Sequence, residues 1–179
     1  MRILGIDPGT ITMGYGVIEV RDDGVTMVDC AALDAPKSAT IGERLNYLHQ
    51  RLLEVISRCK PDVAAIEQPF MSKNVKATLA IGMAQAIALL AAASKGIPIY
   101  EYTPAQVKQR VTNYGGSSKE QVQEMVKLQL GLTRAPQPSD AADALAVALC
   151  HLQETHLDGL LAKLRGNDSG SSGQITDDR

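Results

Sequence analysis

The chain has 179 residues, 45% of them hydrophobic, and a formal net charge of −2, enough for one sizeable core and hardly two. Three widely spaced cysteines without accompanying histidines, Cys30, Cys59 and Cys150, read as free thiols and exclude a disulfide framework or a zinc site. No charged leader precedes an apolar run at the N-terminus. The longest apolar stretch, near "TLAIGMAQAIALLAAAS", is broken by Gly82 and Gln85 and falls short of the roughly 20 residues that span a bilayer, so a soluble intracellular protein is expected.

In chain order, "RILGID" and "YGVIEV" are strand-like, with a turn through Pro8 and Gly9 between them. Asp23-Gly24 signals a hairpin into a third strand, "TMVDCAAL", which makes an antiparallel meander. Thr40 with Glu43 three residues on forms a capping box. Ile41, Leu45, Leu48, Leu52, Val55 and Ile56 then follow at helical spacing until Pro61,. "DVAAIE" is a short buried strand ending on Glu67. The loop "QPFMSKN" leads to an Ala-rich helix from about Lys76 to Ser94, followed by the strand "IPIYEY". "PAQVKQRV" reads as a helix with Pro104 at its start, and "TNYGGSS" as a loop. Ser117 and Glu120 predict a second capping box for the helix "KEQVQEMVKLQL",. After the Pro-broken "RAPQPS" comes a final amphipathic helix, "DAADALAVALCHLQE". This order predicts an α/β fold, a mixed five-stranded sheet with helices on both faces. Residues 1–164 are expected to form one domain, and the polar, Gly/Ser-rich residues 165–179 a disordered tail.

Net charge argues at first sight against a polyanionic partner, but its distribution does not. Residues 1–68 hold 7 basic and 10 acidic side chains, residues 69–134 hold 8 and 3, and residues 135–179 hold 3 and 7. A basic island thus lies between two acidic segments, and local charge decides where a polyanion settles. A solvated basic face fits the same numbers.

Four acids occupy unusual places. Asp7 ends the first strand and Glu67 the fourth, while Asp140 and Asp143 begin the last helix on one face,. If the first and fourth strands are parallel neighbours, a helix starting above their C-terminal edge brings four carboxylates together. Such a cluster repels itself unless cations hold it. Hard oxygen ligands suit Mg²⁺ or Mn²⁺, and two such ions about 3.5–4 Å apart drive in-line attack on a phosphodiester. Each acid also has a plainer reading: Asp7 as a turn residue, Glu67 as a solvated strand end, Asp140 as a helix-start acid. Asp143 is harder to dismiss, because the stripe of Leu145, Leu149 and Leu152 begins beside it.

"GIDPGT…GYGVI", "AIEQPFMSKN", "QVKQRV", "SSKEQVQEMV" and "SDAADALAVALCH" together resemble the RuvC-type Holliday junction resolvases of bacteria, over about residues 1–155. The resemblance implies an RNase H-like fold, a homodimer, and paired symmetric nicks across a four-way DNA junction with divalent metal, in recombination and repair. It also implies a bacterial cytoplasmic location and cooperation with the RuvA-RuvB branch-migration complex. By position, Asp7, Glu67, Asp140 and Asp143 match the catalytic, metal-binding tetrad, with two Mg²⁺ expected and Mn²⁺ as an alternative. Phe70 matches the aromatic wedge that unstacks bases. Lys108 and Lys119 match basic residues near the scissile phosphate, Lys119 within the catalytic set. Lys73, Asn74 and Lys76 fall in a segment used against DNA, and Arg110 shares the basic island with them. Pro69 departs from the pattern and is expected to stiffen the wedge loop. The Ala-rich helix is expected at the dimer interface. His49, His151 and His156 are read as structural or exposed.

The expected chemistry is hydrolysis to 5′-phosphate and 3′-hydroxyl ends. Sugar kinases and actin-like ATPases share "GID.GT" but need two such domains. A junction-binding module without catalysis is disfavoured by the intact tetrad. The short YqgF-type relatives of the same fold, implicated in RNA processing, are disfavoured by "EQPFMSKN" and "SDAADALAVA".

Overall fold

Residues 1–68 and 74–168 are described by the computed structural model. Along them run β1 (Arg2–Asp7), β2 (Thr12–Arg21), β3 (Gly24–Asp34), α1 (Ile41–Cys59), β4 (Val63–Glu67), α2 (Val75–Ser94), β5 (Ile99–Tyr102), α3 (Pro104–Thr112), α4 (Lys119–Gln129) and α5 (Ser139–Asp168). The strands form one sheet in the order β3-β2-β1-β4-β5. The meander β1–β2–β3 is antiparallel, whereas β1–β4 and β4–β5 are parallel. The element order and the mixed sheet are those expected from the sequence.

Strand parity divides the core in two. Leu4 and Ile6 of β1, Met13, Tyr15 and Val17 of β2, and Ile66 of β4 pack with Leu48 and Leu52 of α1 and Ala84 and Ala88 of α2. The alternate residues Ile3, Ile18, Val63 and Ala65 pack against α3, α4 and α5 through Val107, Val122, Leu145 and Leu149. Because side chains alternate with period two, Asp7 and Glu67 project toward the α5 face.

α5 lies unusually close to the sheet. A Cβ built on Gly5 would stand 2.0 Å from the Ala144 carbonyl oxygen, and one on Gly14 would stand 2.0 Å from the Asp140 carbonyl oxygen. Only glycine permits this approach of backbone to backbone.

The capping box of Thr40 and Glu43 is present on α1. That of α4 is shifted by one residue from the expected Ser117 and Glu120 to Ser118 and Gln121. Both pairs satisfy the motif, and tertiary bonding selects between them. Ser117 is buried, with its hydroxyl 2.7 Å from Thr112 Oγ1 and 2.8 Å from the Tyr114 carbonyl. α2 corrects a second expectation: its 20 residues are long and apolar enough to cross a membrane by length and composition alone. It packs instead along one side through Ala84, Ala88, Ala91 and Ala92. α5 continues past residue 164 to Asp168, and the rest of the expected tail lies outside the described residues.

Candidate active site

Asp7 and Glu67 leave neighbouring parallel strands at the same edge, one step beyond the Ile6–Ile66 register pair. Gly14 is the cross-strand partner of Asp7. The first turn of α5 rests on Gly14, so Asp140 and Asp143 are delivered beside the strand ends. The four acids from three distant segments thus share one locality, and their electrostatics show it. The Asp7 and Glu67 side chains lie within hydrogen-bonding reach of each other. Burial, followed by the charge of Asp143, raises the Asp7 pKa. Burial and then Asp7 raise that of Glu67. Asp143 is raised by burial against the opposing pull of Lys119.

Lys119 enters from the start of α4, its Nζ 2.5 Å from Asp143 Oδ2. Burial opposes its charge, but the hydrogen bond to Asp143 and the charges of Asp143, Asp140 and Asp7 leave its pKa raised. Lys108 of α3 and Lys119 line one cavity of about 220 Å³ with Glu67, Asp143, Pro104, Val107, Val122 and Ala146. Thr103 and Gln106 cap α3 reciprocally, with Pro104 in the first turn, and so set the position of Lys108,. No three acidic, histidine or cysteine side chains among the described residues form a ready metal cage. Asp7 and Glu67 face each other, and Asp143 is paired with Lys119.

The remaining candidates divide. Asn74 caps α2, its side-chain oxygen accepting the Ala77 N–H at 3.2 Å, and Lys76 is exposed two residues on. Arg110 forms a two-point pair with Glu154, Nε–Oε1 2.6 Å and Nη2–Oε2 3.2 Å, which ties α3 to α5. It lines a different groove from that of Lys108. Pro69, Phe70 and Lys73 lie outside the described residues. His151 is buried, its Nδ1 2.7 Å from the Tyr102 hydroxyl, and it is structural as expected; His156 is exposed. Gly14, which seats Asp140, was not singled out from the sequence. Its signal is the alternation of Gly5, Gly14 and Gly16 on the face that receives α5.

A family model described as crossover junction endodeoxyribonuclease RuvC matches residues 3–151. The chain is 56% identical over 151 residues to the RuvC of Dehalococcoides mccartyi, covering 84% of this chain and 90% of that one. It is 55% identical over 152 residues to the RuvC of Chloroflexus aggregans, covering 84% and 92%. Among solved structures it is similar to Thermus thermophilus RuvC in complex with a Holliday junction substrate, with TM-score 0.82, 36% identity, and 88% and 96% of the two chains covered. With its mixed five-stranded sheet of RNase H-like type and a family match across nearly all the described fold, the chain belongs to the RuvC family of crossover junction endodeoxyribonucleases.

Proposed function

We propose that Asp7, Glu67, Asp140, Asp143 and Lys119 form the hydrolytic centre of a Holliday junction resolvase that nicks both symmetric strands through two-metal chemistry. The observation that carries this is the meeting of four acids, three with raised pKa, beside a lysine-lined cavity. Such a donor set fits a hard divalent cation, Mg²⁺ above all, since a bound cation removes the repulsion that raises those values. When bound, the metal supplies positive charge that activates a water and stabilises the departing 3′-oxygen.

The chain's own groups do the rest. Asp7 and Glu67 are held rigidly at paired strand ends, and Asp140 and Asp143 by a helix seated on the sheet. Lys119 and Lys108 place ammonium groups where charge grows on the phosphate under attack. The water oxygen bonds to phosphorus as the P–O3′ bond breaks, giving 5′-phosphate and 3′-hydroxyl ends. Phe70, Lys73, Asn74 and Lys76 extend the DNA-binding surface from the adjoining segment.

Two sites on one junction call for two copies of the chain. α2 is apolar along most of its length, and Leu79 and Leu90 are 59% and 55% exposed. A second protomer packed there covers this surface, which supports a homodimer. Residues 1–164 then belong to the nuclease domain, and 165–179 have no assigned role. A cytoplasmic location and cooperation with the RuvA-RuvB complex follow from the same reading.

The test is nicking of a synthetic mobile four-way junction by wild-type and Asp7→Asn protein, with Mg²⁺ varied and a structured RNA in parallel. Paired nicks by the wild type, with cleavage lost and junction binding kept in Asp7→Asn, are expected. Asp7→Asn cutting at the wild-type rate would remove the assignment, and preferential cutting of RNA would move it to the RNA-processing relatives.

A further inference from the structure

Aromatic residues are scarce in this chain: five Tyr, one Phe and no Trp. Tyr15 and Tyr102 are buried, and Tyr100 leans on His151 with ring centroids 4.5 Å apart. Tyr114 is different. It is 67% exposed, in the loop between α3 and α4, and the core makes no use of its ring.

Hydrogen bonds order the loop that carries it. Gln109 bridges the loop, its Nε2 donating to the Asn113 carbonyl at 3.1 Å and its Oε1 accepting the Gly115 N–H at 2.9 Å. Thr112 Oγ1 accepts the Tyr114 N–H at 3.2 Å, and the Tyr114 carbonyl accepts the Ser117 hydroxyl at 2.8 Å. Asn113 takes the left-handed conformation, φ 60°, that reverses the chain,. The ring lies over Gly116, where a Cβ would come within 2.7 Å of it. The ring is therefore backed by the protein on its Gly116 side. Beside the ring runs an open groove of about 350 Å³ lined also by Thr112, Ser117, Gln121, Glu124 and Met125.

The surroundings favour a nucleic acid. No acidic residue occurs from Pro104 to Lys119, and the acid that lines the groove, Glu124, is paired with Lys127 at 2.7 Å. Its two ends carry Lys108 and Lys119, which line the cavity of the acidic centre. Tyr114 is five residues from Lys119, a reach of at most about 17 Å and less in a folded loop. An exposed, pre-ordered ring beside a cationic track is the arrangement by which proteins hold unpaired bases, and each such stack changes binding by roughly tenfold or more.

We propose that Tyr114 is a stacking platform for an unstacked base of the junction DNA flanking the scissile phosphate, and so a positioning residue for cleavage. The proposal rests on the junction-nuclease reading above. The experiment uses a four-way junction with 2-aminopurine on either side of the scissile phosphate and compares wild type, Tyr114→Phe and Tyr114→Ala. Wild type and Tyr114→Phe are expected to quench the probe and nick at rates within about twofold of each other. Tyr114→Ala is expected to lose the quenching and to nick about tenfold more slowly at subsaturating protein, with unchanged thermal stability and Mg²⁺ dependence. Wild-type quenching and nicking by Tyr114→Ala would overturn the proposal. So would a Tyr114→Phe protein as impaired as Tyr114→Ala, since the hydroxyl and not the ring would then act. A failure of the nuclease reading shows in the wild type itself, whereas a failure of this proposal shows only in the variants.

Discussion

Replacing Gly14 with Ala tests how the tetrad is held together. The added Cβ would lie 2.0 Å from the Asp140 carbonyl oxygen, 2.6 Å from its carbon and 3.2 Å from its Cβ. Such contacts do not fall below 3.0 Å, so the first turn of α5 must retreat by at least about 1 Å. Asp140 and Asp143 move with that turn, while Asp7 and Glu67 stay on the sheet. Overpacking of this kind costs about 1–3 kcal/mol of stability. A misplacement of about 1 Å in a catalytic group costs on the order of 100-fold in rate. The assay is single-turnover nicking of a mobile junction over a range of Mg²⁺, at a temperature where thermal denaturation shows the variant folded. Junction binding is expected to stay near wild type, because the DNA contacts proposed on α3 and α4 are not carried by the first turn of α5. Gly42→Ala on α1 has open space around it and serves as the control, gaining about 0.5–1 kcal/mol of helix stability without changing the rate. A folded Gly14→Ala protein that nicks within twofold of wild type would refute the view that this glycine sets the ligand spacing.

Asp7 and Glu67 both titrate above the ordinary carboxylate range, so between about pH 4 and 8 the folded chain binds more protons than the unfolded one. Without metal, their contribution to stability therefore falls as pH rises through that window. The melting temperature of Asp7→Asn in chelator should gain on wild type from pH 5 to pH 8, and a pH-independent difference would contradict the assignment. Lys119→Met should reduce nicking by about 100-fold while leaving junction binding largely intact, as measured by single-turnover kinetics and gel shift. Lys108→Ala should lower the slope of log K against log salt by about 1 in magnitude. Arg110→Ala should leave that slope alone and cost up to about 1 kcal/mol in denaturant unfolding, because Glu154 already engages its guanidinium,. Leu79→Asp on the exposed face of α2 should shift the protein to monomer in sedimentation velocity.

Much of the site was legible because strand parity is a local property. Once "RILGID" and "DVAAIE" are read as strands, Asp7 and Glu67 each fall at a terminus on the α5 face, and their spacing from Ile3 and Val63 needs no tertiary information. The i,i+3 pair of Asp140 and Asp143 is likewise visible as one helical face. What these patterns could not supply is distance. The convergence depends on β1 and β4 being parallel neighbours and on α5 touching the sheet backbone at Gly5 and Gly14.

Element order, the two faces of the sheet and the identity of the four acids were therefore determined by the sequence alone, since backbone geometry imposes periods of 2 and 3.6 wherever the chain folds. Competition for partners was decided only in three dimensions. Ser117 and Ser118 are equivalent helix starts on paper, but Thr112 and Tyr114 claim the first and leave the second to cap α4. Arg110 is one more basic residue in a basic island until Glu154, 44 residues away, holds it. Such choices belong to the tertiary structure because each polar group satisfies a limited number of partners, and long-range packing determines which partners are within reach.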